Sequence, residues 1–157
     1  MKWLWIWGIL CTLCLATADA RTVTGYKHGQ KLTIKLVTVG GVELEAATAK
    51  AFRTMAAAAR KAGIELAIRS GFRSHEKQKQ LYREYKKGWG HLAAKPGYSN
   101  HQNGKAVDIY IDDYRVYEWL RANAKKFGFK RTVRREAWHW EYVRTGGERV
   151  AARHARR

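Results

Sequence analysis

The chain has 157 residues, and its 31 Lys and Arg against 13 Asp and Glu give a formal net charge of +18. This length fits one domain that can bury a core without disulfides, and the charge favours polyanionic partners. The two cysteines, Cys11 and Cys14, both precede residue 20. Beyond that point the sequence excludes a disulfide-stabilised fold and a cysteine nucleophile.

The first twenty residues have the pattern of a secretory signal peptide. Lys2 precedes an uncharged run over residues 3–15, and Ala18-Asp19-Ala20 provides the small-x-small pattern of a cleavage site. We expect cleavage near Ala20, export to the periplasm or cell wall, and a domain over residues 21–143. The alternative is an uncleaved membrane anchor, although the apolar run is shorter than the roughly 20 residues that a spanning helix needs.

A hairpin and a helix are predicted next. Apolar residues alternate over residues 31–39, Gly40-Gly41 offers a turn, and Val42 and Leu44 follow on a second strand. Helical spacing then relates a set of apolar residues: Leu44, Ala51, Phe52, Met55, Ala59 and Ala62. Gly63 ends this helix, and residues 64–68 are predicted to form a short strand.

A second helix is predicted to begin at Ser74, whose side chain is a good N-cap, and to end at Gly88. The helical period places Gln78 on one inward face with Leu81, Tyr82 and Tyr85. A polar residue turned inward needs a hydrogen-bonding partner. Residues 88–98 are predicted to form a loop.

The last elements are a strand over residues 106–111, a helix capped by Asp112 or Asp113 and closed by Gly128, and a strand over residues 138–143. Alternation in the first of them places Asp108 opposite an aliphatic, core-facing side. Strands and helices are mixed without regular alternation, which predicts an α+β fold with a small antiparallel sheet and packed helices. The basic residues 144–157 are predicted to be a disordered tail.

Two histidines and a carboxylate form a candidate metal site: His101, Asp108 and His139. Gly104 and Ala106 are small enough to let the backbone between the first two turn and lie close. Three protein ligands and one open position are typical of a catalytic zinc site. The other histidines lack a surrounding pattern, and we do not expect them to be ligands: His28, His75, His91 and His154.

Glu136 is the candidate general base, because it is a carboxylate close in sequence to His139 that the metal would not need. A separation of three would place the two on opposite faces of a regular strand, so this interpretation requires a bend before Trp138. The alternative for Glu136 is a salt bridge to Arg134 or Arg135.

These residues resemble the zinc D-alanyl-D-alanine carboxypeptidases of the VanY type, which share a fold with hedgehog signalling domains. The resemblance is carried by three motifs in order: residues 70–74 (SGFRS) with Gln78, the pattern Ser99-x-His101-x-x-Gly104-x-Ala106-x-Asp108, and Glu136-x-Trp138-His139. It covers most of the domain, up to Tyr142. Two positions depart from the family pattern, Phe72 where tyrosine is common and Ala137 where proline is common.

The resemblance implies a role for each matching residue. One zinc ion would be held by His101, Asp108 and His139, with Glu136 activating a water molecule. Arg73 would contact the scissile carbonyl and stabilise the oxyanion, which suits a permanently charged guanidinium. Substrate binding is implied for three residues, Arg73, Gln78 and Ser99. The implied reaction is hydrolysis of the terminal D-Ala-D-Ala bond of peptidoglycan stem peptides.

Two other functions stay open. Related L-alanyl-D-glutamate endopeptidases share the fold, although their base is commonly an aspartate rather than a glutamate such as Glu136. A non-catalytic zinc domain that binds a polyanion would suit the charge. The partners we expect are peptidoglycan or its stem peptides and, by charge, anionic wall polymers, without nucleic acid or stable membrane insertion. We expect the protein to be a monomer.

Overall fold

The computed structural model describes residues 20–143. Most of the predicted signal peptide and the whole basic tail therefore lie outside the described residues. Three antiparallel strands form the N-terminal sheet: β1 (Ala20–Lys27), β2 (Gln30–Val39) and β3 (Val42–Glu45). The predicted hairpin is β2–β3, in which Val39 pairs with Val42 across two glycines at positive φ. The sequence did not predict β1, because it is largely exposed and has no alternating apolar pattern.

Helix α1 (Ala46–Lys61) begins where the Glu45 side chain accepts a hydrogen bond from the backbone N–H of Thr48. Gly63 follows its end at a φ of 72°, as predicted. The predicted helical face was wrong at its two ends. Leu44 belongs to β3, where it packs into the same core, and Ala62 is the exposed C-cap.

The second sheet contains β4 (Ile68–Ser70), β5 (Ala106–Ile109), β6 (Phe129–Lys130) and β7 (His139–Tyr142), in the spatial order β4-β5-β7-β6. All its neighbouring strands are antiparallel. The strand predicted over residues 64–68 was wrong, because only Ile68 of that stretch pairs with β5 and the strand continues to Ser70. The ladder of β5 ends at Ile109, two residues earlier than predicted.

Helices α2 (His75–Lys86) and α3 (Tyr114–Asn123) complete the fold, and a 3₁₀ turn (Ala124–Phe127) extends α3 to Gly128. Ser74 caps α2 as predicted, and Asp113 rather than Asp112 caps α3. The predicted inward face of α2 was wrong. Tyr85 is exposed, Leu81 and Tyr82 are half-buried, and Gln78 is the one buried residue of this helix.

The core lies between α1, α3 and one face of the second sheet, where Phe52, Met55, Val107, Ile109 and Leu120 are buried. The predicted α+β class is therefore confirmed. Asp108 projects from the opposite face of β5, away from this core. Among residues 20–143, no helix is long and apolar enough to cross a membrane.

Candidate active site

Three polar residues form a row across the second sheet, on the face that points away from the core. Asp108 on β5 lies directly between Ser70 on β4 and His139 on β7 in the strand register. The Ser70 hydroxyl donates a hydrogen bond of 2.7 Å to Asp108 Oδ2. His139 Nδ1 lies 3.0 Å from the other carboxylate oxygen, Oδ1. Cross-strand neighbours lie close enough for such contacts, so the sheet itself brings two of the predicted ligands together.

His101 reaches the same point from the turn before β5. The turn closes with a hydrogen bond of 3.1 Å from Gly104 N to His101 O. Gly104 has a φ of 70°, and a Cβ atom there would lie 2.7 Å from Glu45 N. Glycine is therefore needed both for the backbone conformation and for the close approach, as the sequence predicted. His101 Nε2 lies 3.5 Å from Asp108 Oδ1.

The donor set fits a zinc ion. His101, Asp108 and His139 are all buried, and each offers a ligand atom within 4.8 Å of the others. Ligands about 2.1 Å from a tetrahedral zinc are about 3.4 Å apart, close to the 3.5 and 3.0 Å that separate the two imidazoles from Asp108 Oδ1. His101 Nδ1 is 2.7 Å from Gly71 O, which leaves Nε2 free for the metal.

Hydrogen bonds within the cluster shift the pKa values of Asp108 and His139. Burial alone would raise the pKa of Asp108, but hydrogen bonds from His101, His139 and Ser70 hold that pKa well below its usual range. Burial alone would lower the pKa of His139, but hydrogen bonds to Asp108 and Glu141 raise that pKa to about 9. A metal would therefore displace a proton from this cluster at neutral pH.

Glu136 lies beside the cluster on a turn that provides the required bend. His139 N donates to Glu136 O at 3.2 Å, which closes a tight turn immediately before β7. Glu136 Oε2 lies 3.9 Å from His139 Nδ1, and the side chain is 29% exposed. Within residues 20–143, no salt bridge joins Glu136 to Arg134 or Arg135. The carboxylate is thus close to the candidate ligands and accessible to water.

Arg73 also lies next to the cluster. Its backbone N donates to His101 O at 3.0 Å, and its Nη1 donates to Gln78 Oε1 at 3.0 Å. Burial lowers the pKa of Arg73, while the negative charges of Asp108 and Glu136 act to raise it. The half-buried guanidinium therefore lies within the field of both carboxylates.

Gln78 finds its hydrogen-bonding partners inside the chain. Besides accepting from Arg73, its amide donates a hydrogen bond of 2.8 Å to Ala94 O in the loop after α2. Ser99 lies next to the cluster, where its Oγ accepts a hydrogen bond of 3.3 Å from His101 N. Both are near the site, but in this structure each contacts protein groups that support Arg73 or His101.

Within the part of the chain that the structure describes, three other histidines lie outside the cluster. His75 stacks on Tyr26, with ring centroids 4.0 Å apart, and its Nδ1 lies 2.9 Å from Gln102 Nε2. His91 is exposed, and His28 lies in the turn between β1 and β2. His154 lies outside the described residues.

Glu141 also contacts the cluster, although it was not among the residues predicted from the sequence. Its Oε1 is 3.0 Å from His139 Nε2, and its Oε2 accepts a hydrogen bond of 3.0 Å from Asn100 Nδ2. Burial would raise the pKa of Glu141, but hydrogen bonds from His139 and Asn100 lower it. The period of two in a strand places Glu141 on the same face as His139, and this signal was available from the sequence.

A comparison with known families decides what this site belongs to. The family model for VanY, described as D-alanyl-D-alanine carboxypeptidase, matches residues 41–145. The chain belongs to the VanY family. The match spans every candidate ligand, Glu136 and Arg73, so the predicted resemblance is confirmed.

Relatives of this VanY-family chain include the D-alanyl-D-alanine carboxypeptidase of Enterococcus faecalis, which is 37% identical over 115 residues. That alignment covers 55% of this chain and 43% of the relative. The chain therefore spans less than half the length of this curated relative.

Two solved structures share the fold. A mutant of the vancomycin resistance D,D-pentapeptidase VanY in complex with Zn(II) is 29% identical with a TM-score of 0.61, and the alignment covers 76% of this chain and 83% of that one. VanYB in complex with D-alanine-D-alanine is 28% identical with a TM-score of 0.62, covering 78% and 83%.

Proposed function

We propose that this chain is a zinc-dependent carboxypeptidase that hydrolyses the terminal D-Ala-D-Ala bond of peptidoglycan stem peptides. The observation that carries the proposal is the buried His101–Asp108–His139 cluster with an accessible carboxylate, Glu136, beside it. Membership of the VanY family supports the reaction, and the Zn(II) and D-alanine-D-alanine complexes of related structures support the metal and the substrate.

Zinc, when bound to His101, Asp108 and His139, would supply Lewis acidity to the scissile carbonyl and acidify water. Glu136 accepts the proton of the attacking water and returns it to the leaving amine of D-alanine. This role needs a carboxylate that water can reach, which agrees with the 29% exposure of Glu136.

Arg73 stabilises the negative charge that develops on the carbonyl oxygen. Its guanidinium stays charged at any working pH and donates in fixed directions. Gln78 contributes to substrate binding by holding that guanidinium through the 3.0 Å hydrogen bond to Nη1. Ser99, beside His101, contributes at the terminal D-alanine.

We also propose that the chain is exported and acts on the cell wall. The pattern of residues 1–20 supports a cleaved signal, and the net charge of +18 suits carboxylate-rich stem peptides and anionic wall polymers. N-terminal sequencing of the protein recovered from the periplasm or medium tests the cleavage. Arg21 is the expected first residue, and an intact Met1 would indicate an uncleaved anchor.

The reaction is tested by incubating purified protein with defined muropeptides and weighing the products. Release of one D-alanine from a pentapeptide stem is expected. Fragments cut between L-alanine and D-glutamate would replace this proposal with the endopeptidase alternative. Stoichiometric zinc without any cleavage would indicate a binding domain.

Glu136→Gln is the decisive variant. It keeps the size of the side chain and removes the base, so zinc content stays the same while kcat falls by about 10²- to 10⁴-fold. Glu65→Gln is the matched control, because Glu65 is 68% exposed and pairs only with Arg60 among the described salt bridges. Unchanged D-alanine release by Glu136→Gln would contradict the role of Glu136.

A further inference from the structure

Glu141 and Asn100 form a hydrogen-bonded support behind His139. Glu141 Oε1 lies 3.0 Å from His139 Nε2, the ring nitrogen that faces away from Asp108. The Glu141 side chain is 13% exposed, so solvent competes little for this contact. Asn100 Nδ2 donates to the second carboxylate oxygen at 3.0 Å, which fixes the carboxylate plane.

We propose that Glu141 is a positioning residue that keeps the proton of His139 on Nε2 and so directs Nδ1 to the metal. This inference rests on the zinc site of the proposed function. Asp108 and His139 both present lone pairs to the same ion, so no hydrogen bond between them can remain when both are ligands. A neutral imidazole carries one N–H, and Glu141 is then its acceptor on the opposite edge.

The Asn100 side chain is itself held in one orientation. Its Oδ1 accepts a hydrogen bond of 2.8 Å from Asn103 Nδ2, which leaves Nδ2 to donate to Glu141. Asn103 is 1% exposed, and its own Oδ1 accepts from Lys105 N at 3.1 Å. The chain of contacts thus connects β7, which carries His139, to the turn that carries His101.

The position of Glu141 two residues after His139 follows from the alternation of side chains along β7. Alternation along β7 turns Trp140 into the core, while His139 and Glu141 share the opposite face. His101 has a comparable support of a different kind, since its Nδ1 is held by a backbone oxygen, Gly71 O, at 2.7 Å. Each imidazole of the cluster therefore has one nitrogen held by an acceptor.

The test measures zinc affinity of the full chain by chelator competition, without using enzyme activity. Glu141→Ala is expected to weaken zinc binding by about 10- to 100-fold. Glu141→Gln, which keeps an acceptor oxygen, is expected to recover part of this loss, and Asn100→Ala to show a smaller loss. Glu65→Gln is the control and should bind zinc as the parent does.

Two spectroscopic readouts separate positioning from general destabilisation. Long-range ¹H–¹⁵N correlation on the zinc-loaded parent should show His139 protonated at Nε2, and the visible spectrum of the cobalt(II) form should change in Glu141→Ala. Zinc affinity of Glu141→Ala within twofold of the parent would overturn the inference. If that variant does not fold, an unchanged affinity of Asn100→Ala and Glu141→Gln together would overturn it.

Failure of this inference is distinguishable from failure of the proposed function. If the parent binds zinc but cleaves no muropeptide, and Glu141→Ala loses the zinc, the positioning role is supported and the carboxypeptidase is contradicted. If the parent releases D-alanine and Glu141→Ala binds zinc as tightly as the parent, the carboxypeptidase is supported and the positioning role is contradicted.

Discussion

The candidate ligands and the candidate reactive groups are held by different kinds of structure. Asp108 and His139 are a cross-strand pair in the middle of a sheet, with relative exposures of 9% and 6%. Glu136 and Arg73 lie on connecting segments, and both are half-buried. Asp108 and His139 are thus fixed by the backbone ladder, whereas Arg73 is held by one side-chain hydrogen bond to Gln78 and Glu136 lies on the turn before β7.

Metal binding and catalysis should therefore be separable by substitution. Removal of a sheet-borne ligand should abolish both, because the reactive groups have nothing to act on without the metal. A change at Glu136 or Arg73 should remove catalysis alone, since neither residue contributes a hydrogen bond to the ladder between β5 and β7.

The largest effect is expected for Asp108→Ala. This substitution removes the carboxylate shared by both imidazoles, and we expect zinc in the purified protein to fall below stoichiometry and D-alanine release to become undetectable. Metal analysis and the muropeptide assay measure the two losses. Asp112→Asn, an exposed carboxylate after β5, is the control. Retention of stoichiometric zinc by Asp108→Ala would show that the sheet-borne pair is not the centre of the site.

A large but selective effect is expected for Arg73→Ala. Loss of one donor to a developing oxyanion typically costs about 10²- to 10³-fold in kcat, and zinc content should not change. Arg69→Ala, an exposed arginine on β4, is the matched control. A parallel loss of zinc in Arg73→Ala would break the distinction between ligands and reactive groups.

The fold was predictable where periodicity and turn chemistry agreed. The β2–β3 hairpin, the cap of α2 at Ser74 and the glycine after α1 are each specified by local residues. Local patterns failed where pairing or packing decides the outcome. Exposed β1 has no apolar alternation, and the two-residue β6 exists only because Phe129 and Lys130 pair with β7.

The site was predictable at the residues that carry motifs, and three of them, His101, Asp108 and His139, meet in the structure. The bend before Trp138 was inferred from spacing, and the turn at Glu136 provides it. Sequence alone could not show that Gln78 contacts Arg73 and Ala94, since the loop that brings Ala94 near has no periodic signal. The strand period places Glu141 on the face of His139, but the sequence could not show its contact with Asn100, which is 41 residues away along the chain.

In the zinc-free protein, we expect the ligand cluster to make the stability depend on pH. The pKa of His139 rises from 6.5 to about 9 in the folded, zinc-free protein. This contributes stability that is fully present below pH 6.5 and lost as pH rises through 9, by about 3 kcal/mol at most. Thermal melts of zinc-free protein should therefore show a Tm that falls between pH 6.5 and 9.

His139→Gln is the control for this effect, since it removes the titrating group. The variant should show a flatter Tm over the same interval. Zinc affinity of the parent should increase over this range, because the competing proton is lost. A zinc-free parent whose Tm stays level or rises from pH 6.5 to 9 would contradict a protonated His139.

The smallest effect is expected for Gln78→Ala, which tests how the reactive side of the site is held. The substitution leaves Ala94 O and the Arg73 guanidinium without their present partner, at a cost of about 1–3 kcal/mol in stability. Because Arg73 would be displaced but not removed, we expect kcat to fall by about tenfold, less than in Arg73→Ala, with zinc affinity unchanged.

Gln80→Ala, an exposed glutamine on the same helix, is the control. A larger loss than in Arg73→Ala would mean that Gln78 acts on the substrate directly. In the double variant, an effect no greater than that of Arg73→Ala alone would show that Gln78 acts through the guanidinium, and independent, multiplying effects would show that it does not.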